Sequence, residues 1–178
     1  LRWELAQRFA VAPDQLIFTS GATESVHLAI VGSAAKLTPG RIVVSGVEHP
    51  AVLAAANQLK NKGWTVAFWP VDALGLIRLE CLEELLAEPT RMVSLIAAQS
   101  EVGALQPTDV VGQACRARGI TFHSDATQLI PQGCPEFNHF QSDLVSLSAH
   151  KFQGPRGIGL LIRGSNLPLA PVQGGGGQ

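Results

Sequence analysis

The sequence predicts an α/β domain built on a mostly parallel sheet. Short apolar strands alternate with helical segments from one end of the chain to the other, without an internal repeat or a low-complexity linker. The run Met92–Ala98 has almost no polar interruption, as a strand covered on both faces requires. The unusual polar residues gather just after strands, where open α/β sheets bind their ligands.

In chain order, Arg2–Val11 reads as an amphipathic helix stopped by Pro13, and Gln15–Thr19 as a short strand. Ser20-Gly21-Ala22-Thr23-Glu24-Ser25 then opens an apolar helix through about Leu37. Arg41–Ser45 is a strand, Ala51–Lys62 a helix that Gly63 ends, and Thr65–Trp69 the next strand. Leu79–Ala87 is a short helix closed by Pro89, followed by the Met92–Ala98 strand. Pro107 opens a helix to about Arg118, a good place for a residue without an N–H. Arg116 and Arg118 suit its negative end, and Gly119 stops it before a strand at Ile120–His123. Finally the apolar run Leu144–Leu147 breaks into Ser148-Ala149-His150-Lys151, and after Gly154 and Gly157 a return strand runs from Gly159 to Ile162. Trp3, Trp64 and Trp69 read as packing residues.

Composition narrows the function classes. A chain of 178 residues is one domain-sized unit, long enough for a sizeable core. Thirteen basic against fourteen acidic residues leave a net charge of −1, which argues against nucleic acid or an anionic membrane as partner. No apolar run is long enough to span a bilayer and no signal peptide is visible. Cys81, Cys115 and Cys134 are odd in number and form no CxxC pair, so neither a zinc site nor a disulfide framework is indicated, and a reduced cytoplasmic protein is expected. Cys134, between Gly133 and Pro135, reads as a turn residue. No P-loop, no dinucleotide fingerprint after the first strand and no HExxH occurs. A start at Leu1 and the glycines Gly174–Gly177 at the other end read as the ends of a fragment.

Each candidate site residue has a plainer alternative. Lys151 sits where a buried strand breaks open; burial there would favour the neutral, nucleophilic amine, whereas the plain alternative is a solvated charge at a strand end. The helix start at Ala22-Thr23 suits a phosphate, or is simply capped by Ser20 or Thr23. His49 is held by the proline that follows it, and a lone histidine is more often structural. Ser100 lies in what could be an ordinary turn. Asp125 ends a buried strand and needs a partner, which a cationic ring nitrogen would be, or else it caps the next helix. One cofactor accounts for the whole set. Pyridoxal phosphate (PLP) needs a phosphate-accepting helix start, an aspartate for its pyridinium nitrogen and a lysine for its aldehyde.

Five blocks carry a family resemblance: IFTSGATES at residues 17–25, VEHPAV at 47–52, SEVGALQP at 100–107, RARGITFHSDATQ at 116–128 and SLSAHKFQGPRGIG at 146–159. In this order they resemble the large domain of the class V aminotransferases, and most of all its cysteine desulfurase branch. The resemblance implies a three-layer PLP-dependent transferase fold of the aspartate aminotransferase type, with a mostly parallel seven-stranded sheet, working as a homodimer. It covers residues 1–178 as an incomplete large domain lacking its N-terminal segment and the C-terminal small domain. By position it makes Lys151 the Schiff-base lysine, places Asp125 on the pyridine nitrogen and Gln128 on the ring hydroxyl, and has His49 stack on the ring and assist proton transfer. Ala22 and Thr23 with their backbone amides, Ser148 and His150 would hold the phosphate. The resemblance implies asparagine in most relatives at the position of Ser100; the shorter serine would reach the ring oxygen or substrate carboxylate through water or not at all. The implied reaction converts cysteine to alanine, with sulfur passing to a catalytic cysteine in a loop beyond Gln178, then to an acceptor protein for iron–sulfur clusters or thiolated cofactors. Two other readings stay open here: another class V transamination or lyase reaction, and a truncated, non-catalytic module.

Overall fold

The computed structural model describes residues 1–133 and 135–175. Its elements in chain order are α1 (Arg2–Phe9), β1 (Leu16–Thr19), α2 (Ala22–His27), β2 (Arg41–Ser45), α3 (Pro50–Lys60), β3 (Thr65–Trp69), α4 (Leu82–Leu86), β4 (Thr90–Ile96), α5 (Thr108–Arg118), β5 (Thr121–Asp125), β6 (Leu144–Ser148) and β7 (Gly159–Arg163). The strands form one seven-stranded sheet in the order β1-β7-β6-β5-β4-β2-β3. Among the described residues only β7 is reversed: it pairs antiparallel with β1 on one side and β6 on the other, while every other pairing is parallel. The carboxyl ends of β1 to β6 therefore share one edge of the sheet. The expected architecture holds.

Alternation within the strands builds the layers. Ile42 and Val44 of β2 and Met92 of β4 pack with Val26 and Ile30 after β1 and with Val52, Ala55 and Leu59 of α3. Val43, Val93, Leu95 and Phe122 face the other way, onto Leu86 of α4 and Val111 and Cys115 of α5. Ala6 and Phe9 of α1 cover Val145, Leu147, Leu160 and Ile162 on that second side.

Several boundaries move for local reasons. The first helix stops at Phe9, before Pro13, because Ala10 turns left-handed (φ 53°) and its N–H bonds back to Ala6 and Gln7. The helix expected through Leu37 is regular only to His27; Leu28–Gly32 continues it as a π turn. Leu79–Cys81 is a 3-10 turn leading into α4. Trp64 and Trp69 are buried as expected, but Trp3 is 72% exposed. The buried stripe of α1 is Ala6 and Phe9, and Trp3 lies off its centre. The glycines Gly176 and Gly177 and the expected turn at Cys134 lie outside the described residues. Among the described residues no helix is long and apolar enough to cross a membrane.

One face of the central strands is polar yet dry. His123 of β5 bonds through Nδ1 to Ser94 Oγ of β4 and through Nε2 to Ser146 Oγ of β6, each at 2.8 Å, and all three residues are fully buried. Burial pulls the imidazole's pKa from the usual 6.5 down to about 3, so it is neutral in the fold. The unfolded chain takes up a proton below pH 6.5 that the native state refuses, so stability conferred above pH 6.5 is lost as pH falls toward 3. His123→Ala should cost about 2–4 kcal/mol, from a cavity and two orphaned hydroxyls. His123→Gln should flatten the acid-side loss of melting temperature. Thermal melts across pH check both, and an unchanged acid slope in the glutamine variant would contradict this assignment.

Candidate active site

The shared edge of strand ends carries the candidate chemistry, and each end contributes through its own local structure. After β1, Gly21 precedes α2 without any side-chain cap, so neither Ser20 nor Thr23 caps the helix as the plain alternative supposed. Instead Glu24 Oε2 accepts from the Ser20 hydroxyl at 2.6 Å and from the Ser20 N–H at 2.7 Å. These bonds hold the Glu24 carboxyl below its usual range. Ala22 and Thr23 form the first turn.

This turn is pressed against the end of β7 by glycine. Gly159 pairs with Thr19 on one side and Ser148 on the other. A Cβ on Gly159 would lie 2.5 Å from the Cα and carbonyl carbon of Gly21, closer than atoms can approach. The absence of a side chain on Gly159 thus joins the turn after β1 to the turn after β6.

After β2, Glu48 and His49 lead into α3. His49 is the N-cap: its Nδ1 accepts from the Ala51 N–H at 3.1 Å, which places the proton of a neutral ring on Nε2. Pro50 occupies the first helical position. Glu48 is buried, with Oε1 accepting from Ser45 Oγ and the Ile96 N–H, both at 2.7 Å. Its Oε2 is enclosed and has no partner.

After β4, Gln99 Oε1 accepts from the N–H groups of Glu101 (2.6 Å) and Val102 (2.8 Å), a side-chain-closed turn that leaves Ser100 exposed. After β5, Asp125 is 4% exposed and accepts on Oδ1 from the Thr127 N–H at 3.0 Å. Burial raises its pKa; the Thr127 bonds and the charges of His49 and Lys151 oppose that rise. Asp125 caps no regular helix, since the chain continues as a turn. Thr127 is buried with both its side chain and its N–H acting on Asp125, and Gln128 is half-buried beside it.

After β6, the fully buried Ser148 bonds through Oγ to His150 Nδ1 at 2.8 Å. A 3-10 turn, Ala149–Phe152, then lifts Lys151 clear of the strand. Lys151 is exposed, so the burial expected from its place in the sequence is corrected: the apolar strand ends at Ser148, and the turn carries the amine out to the cavity mouth. Gln153 closes the turn left-handed at φ 66°.

All of the predicted site residues line a single cavity of about 950 Å³: Ala22 and Thr23 after β1, His49 after β2, Ser100 after β4, Asp125 and Gln128 after β5, and Ser148, His150 and Lys151 after β6. Glu48, Thr127 and Arg156 share it and escaped the sequence reading. An acid directly before His49 at a buried strand end was the available signal for Glu48. A larger hollow of about 1110 Å³, between α1, β1 and residues 167–175, is lined by none of the predicted site residues.

The cavity's donors and acceptors fit a phosphorylated pyridine aldehyde. A buried acid suits a cationic ring nitrogen, and a serine–histidine pair beside free amides suits a phosphate. An amine stands at the same wall.

Fold and cavity together define a class, the PLP-dependent enzymes with a mostly parallel seven-stranded sheet. The chain belongs to the class V aminotransferase family, whose model matches residues 1–178. Members of this family use pyridoxal phosphate. The mitochondrial cysteine desulfurase of Drosophila melanogaster is 39% identical over 99% of this chain and 39% of its own length. The solved structure of a NifS-like protein superposes with a TM-score of 0.94 at 36% identity, over 99% of this chain and 50% of that one. A structure described as SspA in complex with cysteine superposes with a TM-score of 0.92 at 34% identity, over 99% of this chain and 52% of that one. The chain spans about two fifths to one half of these relatives.

The glycine contact is directly testable. Gly159→Ala should destabilise the fold by about 1–3 kcal/mol, because backbone must move to admit one methyl group. Chemical denaturation measures the loss, and a neutral outcome would mean that the two turns are not in contact.

Proposed function

We propose that residues 1–178 form the PLP-binding large domain of a cysteine desulfurase. The observation that carries this reading is the convergence of Asp125, His49, Lys151 and the Ser148–His150 pair on one cavity from separate strand ends. When bound, pyridoxal phosphate supplies an aldehyde for amines and an electron-withdrawing ring for the substrate's α-carbon.

The chain's own groups have distinct tasks in this reading. Lys151 Nζ would hold the aldehyde and, once released, move a proton at the substrate. Asp125 would keep a proton on the ring nitrogen; a charge buried there needs a cationic partner, and the ring provides one. His49, fixed by its bond to Ala51 N–H, would stack on the ring and present Nε2 for proton transfer. Gln128 would reach the ring hydroxyl. The amides of Ala22 and Thr23, the Thr23 hydroxyl, Ser148 and His150 would hold the phosphate dianion. Ser100 would contact the ring oxygen or substrate carboxylate only through water.

The proposed substrate is cysteine: a thiolate takes its sulfur, giving a persulfide and alanine. Cys115 is unsuited to accept it, since it is buried on the opposite sheet face and burial pushes its thiol up to about 12. Cys81 packs against the same cluster, and neither lines the cavity. The proposed acceptor is a thiol other than Cys81 and Cys115, with sulfur passing on to a carrier protein for iron–sulfur clusters or thiolated cofactors. A homodimer in the cytoplasm is the proposed setting; free Cys81 and Cys115 are consistent with a reducing compartment.

Purified protein mixed with PLP should turn yellow, and borohydride should fix the label on Lys151 by peptide mass mapping. Lys151→Ala should abolish the fixed label, and Asp125→Asn should cut turnover at least about 100-fold while cofactor stays bound. With cysteine and a thiol reductant, alanine and sulfide should appear in equal amounts. A protein that remains colourless, with a label independent of Lys151, would overturn the cofactor assignment; full-length protein that binds PLP but makes no alanine would overturn the desulfurase reading.

A further inference from the structure

Glu48 differs from the other acids of the cavity. Glu24 and Glu101 are exposed, whereas Glu48 is buried at the junction of two strand ends. Its Oε1 receives the Ser45 hydroxyl from the end of β2 and the Ile96 N–H from the end of β4. Its Oε2 is shut away from water and bonded to nothing. A carboxylate shares its charge between both oxygens, so a dry and unpartnered oxygen is a poor home for half of that charge. As a carboxylic acid the group is neutral, with its acceptor oxygen doubly bonded to donors. The surrounding charges do not rescue the ionised form. His49, His150, Lys151 and Arg156 line the same cavity, yet among the described residues none bonds to Glu48. Asp125, facing it from β5, adds a like charge.

We propose that Glu48 is a neutral acid carrying its proton on Oε2, a positioning residue that clamps the end of β2 to the end of β4 and so fixes His49, leaving Asp125 the one buried carboxylate charge of the cavity. Burial is the main cause that lifts Glu48 to about 8, against the opposing bonds from Ser45 and Ile96. Two acids in one low-dielectric site resist ionising together, and the member with the cationic partner keeps the charge. The effect on the cofactor rests on the reading in the previous section; the protonation of Glu48 does not.

Infrared difference spectra of the cofactor-free protein test the proton directly. Between about pH 6 and 8, above the ordinary carboxyl range, the C=O stretch of a protonated carboxyl should be stronger in the unmodified protein than in Glu48→Gln, and the difference should fade above about pH 8. In PLP titrations Glu48→Gln should bind within about threefold of the unmodified protein and keep the pH dependence of its absorbance, because an amide matches a neutral acid in shape and charge. Glu48→Ala should bind about tenfold or more weakly, a loss near 1.4 kcal/mol. No carboxyl band in the unmodified protein, or an equal band in Glu48→Gln, overturns the proposal. So does a glutamine variant as weak as the alanine variant, or an alanine variant as tight as the unmodified protein. An unmodified protein that shows the band but takes up no PLP overturns the cofactor reading while leaving the proton on Glu48.

Discussion

Gly159 and Gly21 meet with so little space that a single methyl group between them would overlap backbone atoms. The contact matters because, among the described residues, β7 is the only strand running against the others, and Gly159 is its first residue. By lying between Thr19 and Ser148, it sets the turn after β1 beside the turn after β6, although most of the chain runs between them. The remaining strands are parallel, so their ends fall in line along the same edge. A cavity built this way needs no long loops. Its side chains are held by the first residues after strands, whose backbones are already fixed by the ladder.

The sheet beneath this edge carries more buried polarity than folding alone would favour. His123 with Ser94 and Ser146, then Asp125 and Glu48, sit in or beside the strands that point at the cavity. Their effects on stability oppose each other. Neutral His123 disfavours acid, because protons are taken up by the unfolded chain as pH falls from 6.5 toward 3. Glu48 works the other way: its raised folded-state pKa means that the unfolded chain releases a proton first, so stability falls as pH rises from 4.5 to about 8. Asp125 shares the direction of Glu48. A buried acid such as Asp125 would be stabilised by any cationic partner bound beside it, and the fold with it.

Much of the fold was legible because β2, β4 and β6 are apolar runs bounded by abrupt polarity, and burial on both faces leaves such runs unmistakable. The strand-end residues were legible for the same reason: Asp125, His49 and Lys151 stand where the apolar pattern breaks. What could not be read depends on contacts between distant segments. Glu48 looks like an ordinary acid before a helix until Ile96 of another strand is seen to donate to it. The exposure of Lys151 follows from a 3-10 turn that no periodicity marks, and the π turn at Leu28–Gly32 interrupts an apolar stretch that reads as a continuous helix. Trp3 escapes its expected burial because a tryptophan's size says nothing of which side of a short helix it occupies.

The division of labour in the cavity explains why cofactor and reaction separate so cleanly. Every group that suits a phosphorylated pyridine ring lies at a strand end, on the stiffest part of the chain. Such a frame serves any chemistry that begins with electron withdrawal from an α-carbon, whether an amino group is transferred, a bond is eliminated or sulfur is removed. Sulfur removal asks for one further group, a thiolate able to reach a cysteine held in the cavity. Cys115 cannot be that group, because it is buried on the inner face of α5 with Val111 against Phe122 and its proton is tightly held. The frame thus suits the cofactor, and the choice among reactions rests with the nucleophile brought to it.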